Sequence, residues 1–89
     1  MADERESYIV AIRPEFIDEL KLLSLFNLDS IQEGIKIHSD ASIEKIQAAE
    51  RLFEKGIITQ VDGGYLTNLG IEAAEHAHAL INILMLVEH

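Results

Sequence analysis

The chain contains no cysteine, which removes disulfides, thiolate metal sites and cysteine nucleophiles together and fits a reducing cytoplasm. Cations are scarce: seven Lys and Arg stand against sixteen Asp and Glu, a formal charge of −9. Such a balance repels polyanions at long range and disfavours an anionic membrane surface. A secretory signal is missing, because "MADERESY" is acidic and polar where a signal is basic and then apolar. The longest apolar run, "ALINILML" at 79–86, is interrupted by Asn82 and falls far short of the roughly 20 residues that span a bilayer. Also absent are a nucleophile elbow and a phosphate-binding glycine loop, so neither enzymatic activity nor a cofactor is expected. Together these absences predict a cytoplasmic, non-catalytic protein.

What is present is a surplus of apolar residues, 48% of an 89-residue chain. So short a chain buries only about 60–65% of its unfolded surface, so the surplus predicts apolar surface shared with a partner. Residues 1–8 read as a flexible acidic terminus and 9–89 as a single domain. "YIVAI" at 8–12 is β-prone and suits a strand or an extended arm. Pro14 suits a first helical turn, with Glu15, Asp18 and Glu19 complementing the helix dipole. Phe16, Ile17, Leu20, Leu23 and Phe26 follow at helical spacing, and Asn27 is a stop signal.

Ser30 and Glu33 stand at capping-box spacing, and Leu28, Ile31 and Ile35 share a face, which predicts a short second helix within 28–37. A third helix is expected over 42–55, capped by Asp40 or Ser42, burying Ile43, Ile46, Ala49, Leu52 and Phe53 and closed by Gly56. Next, "IITQV" alternates, "DGG" supplies the positive backbone angles of a hairpin turn, and "YLT" returns. Thr67 or Asn68 caps a last helix over 68–87. The predicted fold is mainly α: three helices, a β-hairpin and a long C-terminal helix.

That order, with Leu52, Gly56 and Ile58 followed by Tyr65, Leu66, Thr67 and Gly70, resembles the winged helix-turn-helix superfamily, in which "LxxxGxI" leads into a wing closed by "YxLTxxG". Here one spacer fewer separates the Tyr from the Leu. More narrowly, "LFNLDSIQEGIKIH" through "DGGYLTNLGIEAAEHA" is similar to a small uncharacterised proteobacterial family whose members are sometimes labelled DNA-binding or transcriptional regulators. The resemblance spans about residues 14–80. It implies a DNA-reading third helix, with Gln47, Arg51 and Lys55 as the contact candidates, and a wing on the phosphates.

The residues themselves point elsewhere. The face opposite the expected apolar stripe shows Glu44, Gln47, Ala48, Arg51, Glu54 and Lys55, in which two acids cancel two bases. The wing tip carries Asp62 and no cation, although non-specific DNA affinity comes from phosphate neutralisation. Glu72 and His76 at i and i+4 offer two metal ligands, below the three or four that zinc needs, so no metal is expected. His78 falls at the edge of the apolar face as a half-buried packing residue.

The last helix is apolar nearly all round in its final turns, which predicts burial against a partner helix. The simplest partner is the same helix of a second subunit, with Leu80, Ile83, Leu84, Leu86 and Val87 at the interface. Within one chain, the first helix and "YIVAI" are the alternative cover. Two functions remain: a cytoplasmic DNA-binding transcriptional regulator, or an acidic, dimeric protein-interaction module that never touches DNA.

Overall fold

The computed structural model describes residues 12–87. Helix α1 (Pro14–Leu23), strand β1 (Ile35–Lys36), helix α2 (Ile43–Glu54), strands β2 (Ile58–Gln60) and β3 (Gly63–Leu66) and helix α3 (Asn68–Leu86) follow in that order. The strands form one antiparallel sheet in the order β1-β3-β2. The mainly α class, the hairpin and the long C-terminal helix are therefore as expected. The run at 8–12 lies outside the described residues except for Ile12, which is exposed.

Local chemistry sets most boundaries. Pro14 opens α1, where its missing N–H leaves no intrahelical bond unmade. Ser42 caps α2 by accepting the Lys45 amide at 3.2 Å, and Gly56, at φ 75°, takes the left-handed position that ends it. Thr67 does two jobs. Its Oγ1 accepts the Gly70 amide at 3.0 Å and donates to the Gly56 carbonyl at 2.6 Å, tying the start of α3 to the end of α2.

The second helix expected within 28–37 is not formed. Asn27 accepts the Asp29 amide at 2.9 Å in a side-chain turn, Ser30 and Glu33 close a backbone turn at 3.0 Å, and the chain then enters β1. Ile31, expected to face inward, is half exposed. Sheet pairing takes Ile35 and Lys36 instead, opposite Gly64 and Gly63. Gly63, at φ 122°, is required twice, because a Cβ there would run into the Ile35 carbonyl. Between Ile58 and Gln60 the hairpin register shifts, and the Thr59 hydroxyl takes the Tyr65 amide at 2.9 Å in place of a ladder bond.

The core gathers Leu22, Leu23 and Phe26, Ile37 and Ile58, Ala48, Ala49 and Leu52, and Ala74 and Ala77. Helix α2 is turned from the expected setting. Ala48, placed outward by the sequence reading, is fully buried, whereas Ile43 and Phe53, placed inward, are 64% and 44% exposed. Burial of Ala48, Ala49 and Leu52 puts α2's inner face on α1, a close approach that two small side chains permit. On α1 the buried residues are Glu19, Leu22 and Leu23, leaving Phe16 and Ile17 about 40% exposed. Gly70, in the first turn of α3, packs against the Ile57 carbonyl where a Cβ would collide.

Candidate interaction surfaces

The rotation of α2 decides what its cations do. Glu19 is 6% exposed, and Arg51 Nε donates to its Oε2 at 3.0 Å while Lys55 Nζ donates to its Oε1. Arg51 also donates through Nη2 to the Glu15 carbonyl at 3.2 Å. Phe16 caps this cluster, its ring centre 5.1 Å from the Arg13 guanidinium and 5.3 Å from the Lys55 ammonium, distances at which a cation is held by the aromatic face. Two of the three DNA-contact candidates thus serve the α1–α2 junction, where both pair with one buried carboxylate that would otherwise be stranded.

Gln47, the third candidate, is exposed and separate from that cluster. It shares α2's outward face with Ile43, Glu50 and Glu54, one helical turn apart from each other. That face therefore presents carboxylates where a DNA-reading helix presents cations. At the hairpin turn Lys36 pairs with Asp62. The bond from Lys36 holds the Asp62 carboxyl below the ordinary aspartate range. Asp62 is at the hairpin turn as expected, but its charge is met by a strand cation rather than left to face a phosphate.

Glu19 was the residue the sequence reading missed as a site. Its signal was present: Leu22, Leu23 and Phe26 follow it at i+3, i+4 and i+7, which places a carboxylate inside an apolar stripe. No group of three or more metal-ligating side chains occurs among the described residues. His76 is exposed and His78 half-buried, as expected for the latter. The His78 Nε2 has no hydrogen-bond partner among the described residues.

A second surface occupies the end of α3. Burial in this helix stops at Ala77. Beyond it Leu80 is 49% exposed, Ile83 58%, Leu84 57%, Leu86 77% and Val87 68%. Leu80, Ile83, Leu84 and Val87 follow i, i+3, i+4, i+7 spacing and form one stripe, while Leu86 lies to its side. Residues 79–87 carry no charged side chain at all. None of the described helices is long and apolar enough to cross a membrane.

These features define a mainly α domain with a small antiparallel sheet, an acidic helix face beside the hairpin and an apolar, charge-free helix end. By sequence the chain belongs to a family of unknown function, DUF5669, whose profile matches residues 10–85. Neither curated proteins nor solved structures yield a match.

Proposed function

We propose that this protein is a winged-helix-like, non-catalytic protein-interaction module that works as a homodimer and does not read DNA. The observation that carries this reading is the Glu19 cluster. It engages Arg51 and Lys55 within the fold and leaves Glu50 and Glu54 on the outward face of α2. A DNA-binding regulator needs several free cations on that face, because phosphate neutralisation supplies nearly all non-specific affinity. The arrangement of helix, strand, helix, hairpin and helix is compatible with a winged helix, and such folds serve protein recognition as readily as DNA recognition.

The dimer follows from the end of α3. A stripe of half-exposed Leu, Ile and Val is unfavourable in water and marks a contact surface. Two chains of charge −9 repel each other, so a second copy associates best where neither contributes a charge, and residues 79–87 are such a place. An isologous contact, α3 on α3, satisfies both copies at once.

Fluorescence anisotropy with a random duplex at low salt tests the DNA half of the reading. No binding is expected; an affinity that falls steeply with added salt would restore the regulator. Sedimentation velocity tests the dimer. Wild-type protein is expected to sediment as a dimer and Leu86→Glu as a monomer, whereas a monomeric wild type would overturn the α3 interface.

A further inference from the structure

The outward face of α2 has a chemistry that α3-mediated dimerisation does not use. Between α2 and the hairpin turn lies a groove of about 460 Å³. Ile37, Ile46 and Val61 give it an apolar lining, and Glu50, Asp62 and Lys36 border it. Lys36 is closed on Asp62, so Glu50 is the carboxylate on this border with no ion pair among the described residues. Glu54 follows one turn later on the same face. Val61, at the tip of the turn, is 51% exposed, and Ile43, at the start of the face, is 64% exposed. The surface is thus an apolar strip with a negative border on a protein that is negative overall.

That combination selects among ligands. Nucleic acid and anionic membranes are repelled. A small cation would use only the carboxylates, and these do not form a ligating group of three. An extended strand would find only the two-residue edge strand β1 to pair with, at Lys36, whereas α2 supplies a side-chain wall along the groove. A helix with basic residues beside an apolar stripe uses both features. Over its 12 residues α2 offers a face about 18 Å long, the length of three turns of such a helix.

We propose that this groove receives a basic amphipathic helix of a protein partner. Its apolar residues at i, i+4 and i+7 would cover Ile46 and Val61, and its Lys or Arg would face Glu50 and Glu54. Charge complementarity then steers the encounter while the apolar strip supplies the register. This rests on the interaction-module reading above and names the chemistry of the partner.

The test is fluorescence anisotropy with a labelled Lys/Leu peptide of about four helical turns whose leucines repeat at i, i+4 and i+7. The controls are a scrambled peptide of the same composition and the same pattern with Glu for Lys. The patterned basic peptide is expected to bind at least tenfold more tightly than either control. The double variant Glu50→Lys/Glu54→Lys should lose at least tenfold, and the milder Glu50→Gln/Glu54→Gln should lose less. Leu86→Glu should bind the peptide as wild type does. Thermal unfolding checks that the exposed substitutions leave the fold intact, and the Gln pair serves if the Lys pair does not fold. Equal binding of the scrambled peptide, undiminished binding by both α2 variants, or loss confined to Leu86→Glu would overturn the proposal. Absence of peptide binding with absence of DNA binding defeats this inference alone. DNA binding defeats the module reading beneath it.

Discussion

At the scale of single residues, Glu19 organises the molecule. A carboxylate this buried is tolerated because Arg51 and Lys55 reach it from the next helix, and the cations stay partly hydrated, with side chains 29% and 47% exposed. The consequences of deletion are therefore unequal. Removing the carboxylate in Glu19→Ala lets both cations return to water and should cost about 1–2 kcal/mol. Removing both cations in Arg51→Ala/Lys55→Ala strands a buried charge and should cost about 3 kcal/mol or more, exceeding the sum of the two single variants. Urea denaturation of the four proteins decides this, and additive losses would mean that Glu19 is not jointly held. Gly70→Ala should destabilise by about 1–3 kcal/mol in the same assay, because the Ile57 carbonyl occupies the space a Cβ needs. Gly56 was legible as a boundary, and Ser42 and Thr67 each as one of two candidate caps, since each acts on backbone within a few residues. The partners of Glu19 were not, for they lie 32 and 36 residues away.

At the scale of elements, the contrast between α2 and the segment before it shows what periodicity can and cannot tell. The spacing of apolar residues located α2 correctly, yet misjudged its inner face by placing Ala48 outside and Ile43 and Phe53 inside. Hydropathy ranks Ile and Phe as core residues, but closeness of helix approach favours the alanines. In residues 28–37 the capping-box spacing was real but was spent on turns. A two-residue strand leaves no periodic signal of its own, and pairing with the Gly63–Gly64 pair outweighs one marginal helical turn. The ion pair of Lys36 with Asp62 fastens this short strand to the hairpin. The Asp62 side chain is 37% exposed and that of Lys36 63%, so the contribution is small, but its sign is fixed. A carboxyl depressed in the folded state adds stability above its unfolded pKa, and that stability fades as pH falls through the folded value. Carbon-detected NMR titration should find Asp62 ionising below the ordinary aspartate range, and Lys36→Ala should return it there. An unchanged value in Lys36→Ala would remove the ion pair from solution.

At the scale of the whole molecule, two surfaces differ in character. The end of α3 is apolar and uncharged, suited to a like-charged copy. The α2 face with the hairpin turn is acidic beside an apolar strip, suited to a basic partner. The terminal helix end was legible in the sequence because a charge-free run of nine residues needs no tertiary information to be noticed. The acidic groove was not, because it forms only once α2 is rotated to give Arg51 and Lys55 to Glu19. The most direct test of the account is sedimentation velocity of the wild-type protein mixed with a fluorescent random duplex at low salt. It predicts protein sedimenting at twice the chain mass while the duplex sediments alone; a monomeric protein, or a duplex that moves with it, would contradict the account.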